Sequence, residues 1–297
     1  MKKLLLLTLA LFLLLPSAGG VEVDGIYYLL VGTRYAVVAS RGGAGFEPDS
    51  YAGDVVVPAE FSYRGNTYEV VSVGPSAFAG CEKLTSVRLP STVRSLSGSA
   101  FLGSDALCRV EVPADLLAIS ACAFTGCQSL QEVVFPRGAE RVDTLTLYCC
   151  TSLTSVTLPH RIHTICQGAL KHLSSLRQLY CYASQPPTCE QEAFFVADQQ
   201  QCTLHVPAYT LQSYREAEGW RDFGRIVPIT DAEYEAQGYV RGDVNVDGRV
   251  DADDLLLLGR IVVSLPDGSS VHWAADINAD GKVNAVDYVL LARQLAQ

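Results

Sequence analysis

The stretch AFAGCEKLTSVRLP, residues 77–90, decides the fold because its pattern returns three times further along the chain. The later copies are AFLGSDALCRVEVP at 100–113, AFTGCQSLQEVVFP at 123–136 and TLYCCTSLTSVTLP at 146–159. Each copy begins 23 residues after the one before it. A fixed period of this length indicates a solenoid, in which each unit buries its apolar face only against its neighbours.

Several columns of apolar residues share this period. Within a copy, the pattern Leu84-x-x-Val87-x-Leu89 predicts a short strand of the leucine-rich kind. Because stacked units place equivalent residues above one another, we expect the columns to form the core. They are Phe78, Phe101, Phe124 and Leu147, then Leu84, Leu107, Leu130, Leu153 and Leu176, and finally Val73, Leu96, Ile119, Val142 and Ile165.

The AFxGC segment and the second apolar pair of each unit make residues 68–229 resemble the BspA-like leucine-rich repeats of bacterial surface proteins. Residues 21–67, which contain VDGIYYLL, resemble the N-terminal β cap of that family. The resemblance implies a β-rich solenoid of the α+β type, built from 23-residue leucine-rich repeats. It also implies a binding surface along the outward faces of the strands.

The first 20 residues have the features of a secretory signal. Lys2 and Lys3 precede an apolar run at 4–15, and small residues follow. At about 1.5 Å per residue the run would form roughly 18 Å of helix, well short of a hydrocarbon core of about 30 Å. We therefore predict that residues 1–20 are cleaved, that no later segment spans a membrane, and that the mature protein is secreted, extracellular or attached to a cell surface.

The charge balance bears on the partners. With 32 acidic and 22 basic residues, the chain has a formal charge of −10. Nucleic-acid binding requires a surface rich in Lys and Arg that neutralises phosphates. The composition therefore argues against a nucleic-acid partner and favours cations.

Ten cysteines in an exported protein make disulfides possible. Cys81, Cys127 and Cys150 occupy one repeat position, which Ser104 and Leu173 fill in other units. This interchange favours a small buried slot and unpaired core thiols. One or two bridges remain possible among the cysteines outside this column, which include Cys122, Cys149, Cys166, Cys181, Cys189 and Cys202.

A second kind of repeat lies near the end of the sequence, where DVNVDGRVDADD at 243–254 is followed by DINADGKVNAVD at 276–287. Both fit the calcium loop D-x-N-x-D-G-x5-D, in which a turn at glycine lets alternate residues point oxygens at one ion. Two such loops predict two calcium ions. The expected ligands are Asp243, Asn245, Asp247, the carbonyl of Arg249, Asp251 and Asp254, and then Asp276, Asn278, Asp280, the carbonyl of Lys282, Asn284 and Asp287.

An apolar helix is predicted after each loop, so that residues 241–297 resemble a dockerin module, a small all-α calcium-binding unit that docks onto a cohesin domain. Residues 230–240 carry no repeat frame, and we expect them to form a short linker. The resemblance implies that the partner contacts a basic residue on each helix and the two positions before the last ligand, which are often Ser-Thr in cellulosomal dockerins. Here these residues are Arg260, Arg293, Ala252, Asp253, Ala285 and Val286.

These features lead to one main hypothesis and two alternatives. The main hypothesis is a secreted, non-catalytic adhesion protein whose solenoid binds a host or bacterial surface protein or a glycan, and whose calcium module tethers it to a cohesin-type partner. In the first alternative the calcium module is only a structural clamp. In the second the chain is a hydrolase that uses Glu111 and Glu132, although expected pairing with Arg88 and Arg109 on neighbouring strands favours a structural role for both.

Overall fold

The repeats form a β-solenoid of about 7 turns, followed by a small helical region. The expected signal, residues 1–20, lies outside the described residues except for Gly20. The computed structural model describes residues 20–43, 46–113, 115–246, 248–264 and 273–297.

The N-terminal cap consists of antiparallel hairpins that pass into parallel ladders. Its strands are β1 (Val21–Val23), β2 (Ile26–Val31), β3 (Tyr35–Ala39), β4 (Gly53–Val56), β5 (Glu60–Tyr63) and β6 (Asn66–Val73). β1, β2 and β3 form a meander, and β5 pairs antiparallel with β6. β3 and β6 are parallel neighbours, so the cap already has the strand direction of the repeats.

The first five turns of the repeat region each contribute a longer strand to one side of the solenoid and a two-residue strand to the other, and the closing segment adds two further longer strands. The longer strands are β7 (Leu84–Arg88), β9 (Arg109–Glu111), β11 (Glu132–Val134), β13 (Ser155–Leu158), β15 (Gln178–Cys181), β17 (Thr203–Val206) and β18 (Arg225–Pro228). The short ones are β8 (Ser95–Leu96), β10 (Ala118–Ile119), β12 (Arg141–Val142), β14 (Thr164–Ile165) and β16 (Thr188–Cys189).

The repeat strands pair in parallel with equivalent residues of a neighbouring turn, except that β9 does not pair with β11 and β10 does not pair with β12. Ser86 pairs with Arg109, for example, and Glu132 with Ser155. The longer strands form two sheets, one in the order β4-β7-β9 and one in the order β11-β13-β15-β17-β18. The ladder is therefore divided between β9 and β11.

A stack of aromatic rings runs through the core. The ring centroids of Phe78 and Phe101 lie 5.0 Å apart and those of Phe101 and Phe124 lie 5.2 Å apart, with nearly parallel planes. Tyr51 of the cap extends the stack, 4.6 Å from Phe78. All the residues of the three predicted columns are buried, which confirms the repeat frame.

The slot shared by cysteine and serine contains a hydrogen-bond donor. The Ser104 hydroxyl donates to the carbonyl of Phe78 at 2.5 Å, and the thiols of Cys127 and Cys150 donate at 3.0 Å to the carbonyl of the residue 26 positions earlier. Burial raises the pKa of Cys150 to about 12, so the group remains a thiol. All ten cysteines of the chain are free. Ser104, Cys127 and Cys150 thus each place a small donor against the preceding turn, whereas Leu173 fills the same position without a donor.

An aromatic plug closes the C-terminal end of the repeats. Trp220 is fully buried, with its ring centroid 5.2 Å from that of Tyr214 and 5.3 Å from that of Phe194. Its indole N–H donates to the carbonyl of Pro187 at 2.7 Å. The helices of this closing segment are α1 (Val196–Gln201), a 3-10 helix (Ala208–Thr210) and α2 (Leu211–Glu216).

Residues 230–240, which the sequence suggests are a linker, contain a helix that packs on the last turns. α3 (Asp231–Ala236) begins with a capping box, in which the Glu233 N–H donates to the Thr230 hydroxyl and the Thr230 N–H donates to the Glu233 carboxylate. Tyr234 is buried. These residues therefore pack on the last turns although their sequence does not follow the repeat pattern.

The helical region has its own small core. Its helices are α4 (Ala252–Ser264), a 3-10 helix (Trp273–Ala275) and α5 (Ala285–Leu295). In the parts of the chain that the structure describes, no helix combines the length and hydropathy needed to cross a bilayer. The buried apolar residues of this region are Val244, Leu258, Ala275, Val283 and Leu291.

Candidate calcium loops and binding surfaces

A hydrogen bond from a glycine N–H to an aspartate carboxylate closes each of the two candidate loops. The Gly248 N–H donates to the Asp243 carboxylate at 2.9 Å, and the Gly281 N–H donates to Asp276 at the same distance. Both glycines have positive φ, 91° and 80°, a conformation that is costly for residues with a Cβ. The turn therefore requires glycine and holds the first acidic residue of each loop on the inside.

The last acidic residue of each loop accepts hydrogen bonds from two other parts of the loop. The Asp254 carboxylate accepts from the N–H of Asn245 at 3.0 Å and from that of Asp251 at 2.8 Å. The Asp287 carboxylate accepts in the same way from the N–H of Asn278 at 3.4 Å and from that of Asn284 at 2.9 Å. The backbones of the two loops therefore follow the same path, as the shared spacing of their residues predicted.

The remaining expected ligands lie at the rim of the loops. The Asn278 side-chain N–H donates to Asp280 at 3.0 Å, and the Lys282 N–H donates to the other oxygen of Asp280 at 2.9 Å. The side chains of Lys282 and Arg249 are exposed and contain no oxygen, so the oxygen that these residues can offer is the backbone carbonyl. Asp247 lies outside the described residues.

Asn284 has two roles. Besides its expected place as a ligand, its side chain accepts from the Val286 N–H at 2.8 Å and so caps α5. The same bond fixes the direction in which the helix leaves the second loop. Loop and helix are therefore built as one unit.

The buried charge of the loops indicates that the residues fit a cation. Asp243, Asp254, Asp276 and Asp287 are at most 5% exposed. Within the described residues, neither Asp254 nor Asp287 has a cationic side chain within 4.0 Å, and Arg241 approaches Asp276 only to 3.9 Å. Buried carboxylates without a counter-charge are costly, and a hard cation such as calcium prefers oxygen ligands. The donor set therefore matches calcium.

The described part of the chain contains no cluster of three His, Cys, Asp or Glu side chains that could hold a metal. In the second loop, for which every expected ligand is described, the carboxylates of Asp276, Asp280 and Asp287 accept backbone N–H groups of the loop itself. The loop geometry thus supports the ligand assignment through winding and burial, and the ligand set stays a prediction.

An apolar groove of about 340 Å³ lies beside α4 and α5. Leu256 and Val263 line it and are 57% and 81% exposed. Tyr288 of α5 also lines it and passes close to Gly259, where an added Cβ would lie 3.1 Å from the tyrosine ring. Exposed apolar groups in this arrangement favour a protein contact.

The residues that the dockerin resemblance assigns to partner binding are all accessible. Arg260 lines the groove, whereas Arg293 lies on α5 outside it. These expected partner-binding residues, all exposed, are Ala252, Asp253, Arg260, Ala285, Val286 and Arg293.

On the outward face of the repeats, Glu111 is held by two arginines. Its carboxylate lies 2.7 Å from Arg88 and 3.1 Å from Arg109. The hydrogen bond from Arg88 holds the pKa of Glu111 below its ordinary value, which disfavours a role as a general acid. The expected pair of Arg109 with Glu132 is not formed, because β9 and β11 belong to different sheets.

Sequence reasoning missed a polar cluster beside α3. His205 lies 3.2 Å from the Glu233 carboxylate and 2.6 Å from the Gln178 side chain, and its ring lies 4.3 Å from that of Tyr180. Desolvation lowers the pKa of His205. Only 13% of the imidazole is exposed, so this cluster holds α3 on the sheet rather than facing a substrate. The capping box at Thr230 was the readable signal for that helix.

Comparison with known proteins gives two family matches. Residues 67–200 match the BspA type Leucine rich repeat region in 6 copies, and residues 241–296 match the Dockerin type I domain. A comparison with curated proteins found no match.

Several solved structures are similar to this chain. A leucine-rich repeat protein from T. pallidum is 24% identical, with a TM-score of 0.47, over 74% of this chain and 94% of that chain. One from Bacteroides capillosus is also 24% identical, with a TM-score of 0.40, over 47% of this chain and 97% of that chain. One from Bacteroides ovatus is 17% identical, with a TM-score of 0.37, over 70% of this chain and 76% of that chain.

Both matched families are typically non-catalytic binding modules, and proteins that carry them are typically extracellular or surface-bound. Dockerin domains generally bind calcium and dock onto cohesins. The chain thus combines a BspA type leucine rich repeat region at residues 67–200 with a dockerin type I domain at residues 241–296.

Proposed function

We propose that this protein is a secreted, non-catalytic binding protein, in which the repeat region holds a macromolecule and a dockerin loaded with two calcium ions tethers it to a cohesin-type partner. The duplicated loop carries the proposal. Both loops have the same bonds between carboxylates and backbone, and each leads into a helix with exposed apolar side chains.

Calcium would supply positive charge to the carboxylates of Asp254 and Asp287, which have no cationic side chain within 4.0 Å among the described residues. It takes six to eight oxygens, which one loop of this kind provides together with water. Asp243, Asp254, Asp276 and Asp287 would hold the two ions from the inside, and the rim residues would complete each shell. Without an ion, the charges of each loop repel one another inside a poorly solvated turn.

The groove beside α4 is the proposed contact for the cohesin-type partner. Leu256 and Val263 present an exposed apolar centre, and Arg260 adds a basic group to its edge. Protein interfaces combine apolar centres with polar rims and are enriched in arginine. Partner binding should therefore depend on Arg260 and on the calcium that positions α4.

The outward face of the longer strands is the proposed surface for a host or bacterial surface protein or a glycan. It presents polar and charged side chains in register, such as Arg88 next to Glu111. Solenoids use extended faces of this kind to bind macromolecules. A hydrolase gains no support from it, since Glu111 is committed to two arginines.

A structural clamp is the second candidate role for the calcium module. Tyr234 of α3 stacks on Trp273 of the module at 4.5 Å, so the module packs on the segment that lies against the repeats. Ala252-Asp253 and Ala285-Val286 also stand where cellulosomal dockerins often have Ser-Thr. On this hypothesis calcium stabilises the chain but recruits no partner.

The test is binding of the mature chain to cohesin-type domains of the same organism, measured by biolayer interferometry in calcium and in EDTA, with calorimetry to count the ions. We expect two ions, binding that chelation abolishes, and a larger loss from Arg260→Ala than from Lys83→Ala, which removes an exposed cation of the repeat region outside both loops. Two ions without any cohesin binding would favour the clamp. Absence of calcium binding would contradict both roles.

A further inference from the structure

Five side chains join the dockerin to the end of the repeat region, and we refer to them as the junction. Three tyrosines come from the repeat side and two residues from the dockerin. The junction residues are Tyr182, Tyr234, Tyr239, Arg241 and Trp273.

The aromatic members of the junction form two stacked pairs. The ring of Tyr182, just beyond β15, lies 4.7 Å from that of Tyr239, and the ring of Tyr234 lies 4.5 Å from that of Trp273, with planes only 7° apart. The Tyr182 hydroxyl donates to the carbonyl of Glu233 at 3.0 Å. These contacts place α3 between the last repeat turns and the dockerin.

Arg241 links the second calcium loop to α3. Its guanidinium donates to the backbone carbonyl of Asp276 at 2.5 Å, pairs with the Asp231 carboxylate at 3.0 Å and lies 4.5 Å above the Trp273 ring. Asp276 is the first residue of the loop, and Asp231 is the first residue of the helix. The half-buried guanidinium of Arg241 therefore contacts both the second calcium loop and the segment that packs on the repeats.

The first calcium loop also reaches the junction. Val246, at the fourth position of that loop, is buried in the cluster formed by Tyr182, Tyr234 and Tyr239. Its backbone is left-handed, with φ of 57°, like that of Ala279 at the same position of the second loop, so the winding of the loop sets where this side chain points. The winding of the loop and the packing of the junction thus support each other.

We propose that calcium binding and the packing of the dockerin against the repeats are energetically coupled through the junction. The inference rests on the proposed calcium binding. An ion that keeps the loops wound keeps the Asp276 carbonyl and the Val246 side chain where the junction needs them, and a packed junction preforms the loops for the ion. Coupling of this kind is reciprocal, so a change on the repeat side must alter calcium affinity.

The consequence is a tether of fixed orientation. A flexible linker would leave the repeat surface free to rotate about its attachment point. Here calcium would set both the attachment and the direction in which the outward strand face points from the partner.

Asp231 provides the test, because it lies outside the dockerin match and is not an expected ligand. Calcium titration of the full chain by calorimetry should show at least about fivefold weaker binding of one of the two ions in Asp231→Ala. Glu235→Ala removes the same charge from an exposed position on the same helix and should titrate like the unaltered chain. Asp231→Asn, which keeps the acceptor for Trp273 but loses the charge beside Arg241, should give an intermediate result.

Hydrogen exchange of residues 230–240 provides a second measurement. Calcium should slow exchange there in the unaltered chain and in Glu235→Ala, and should do so less in Asp231→Ala. If two ions bind but the two alanine variants titrate alike, or if exchange at 230–240 does not respond to calcium, the coupling is refuted while the calcium sites stand. If no calcium binds, the proposed function fails together with the coupling.

Discussion

Replacing Asp287 by asparagine removes one charge from the second calcium loop and nearly preserves its shape. The carboxylate is fully buried and accepts from the N–H groups of Ile277 and Asn284, each at 2.9 Å. Asparagine keeps one acceptor oxygen but turns an NH2 group toward the other donor. We expect Asp287→Asn to lose calcium at the second loop and to retain it at the first.

The magnitude follows from linkage. At a free calcium concentration 100 times the Kd, each bound ion stabilises the native state by about 2.7 kcal/mol. For a unit as small as the dockerin, 1 kcal/mol corresponds to about 4–8 °C in Tm. Loss of one ion should therefore lower Tm by roughly 10–20 °C, and chelation of both ions by roughly twice as much.

Circular dichroism at 222 nm is a suitable assay, because α4 and α5 are the longest helices that the structure describes. Asp253→Asn is the control, since it makes the same chemical change at an exposed residue of α4 and should alter stability by no more than about 0.5 kcal/mol. The reasoning is refuted if the helical transition in EDTA coincides with that in calcium, or if the two variants melt together.

Three further outcomes follow from the repeat region. Phe101→Ala, in the middle of the ring stack, should lower the free energy of unfolding by about 3–5 kcal/mol in denaturant titrations, and a loss below 1 kcal/mol would contradict the stacked core. Cys108 is the exposed thiol and should react first with a thiol reagent in the native protein, a phase that Cys108→Ser removes. Desolvation lowers the pKa of His205 in the native state, so the unfolded state takes up the proton first as the pH falls. The contribution of His205 to the free energy of unfolding is therefore complete above about pH 6.5 and decreases as the pH drops below it. His205→Gln should flatten this dependence of the free energy of unfolding on pH.

The repeat frame could be predicted because independent residue types recur at one spacing. Phe101 and Leu107 each belong to a column, and both proved buried with their columns. The calcium loops were predictable for a related reason, since oxygen-bearing residues alternate around Gly248 and Gly281 at fixed positions. In both cases the physical constraint acts within one short segment.

Contacts between distant segments could not be predicted in this way. Arg241 meets Asp231 and Asp276, and nothing in the local sequence of any of the three indicates the other two. The expected pair of Arg109 with Glu132 failed because it assumed an unbroken ladder, and the repeat pattern does not show that the ladder is divided between β9 and β11. Contacts at the junction and at sheet boundaries depend on how segments that are distant in sequence pack against one another.

The donor slot of the repeats bears on how such a protein changes in length. Since Ser104, Cys127 and Cys150 each reach back 26 residues to a carbonyl of the preceding turn, a deletion of a few residues would leave a donor facing the wrong group. Gain or loss of one whole turn renews every bond and leaves both end caps unchanged. Solenoids of this type should therefore differ among relatives by integral numbers of turns, with the reach of the binding face growing or shrinking in equal steps.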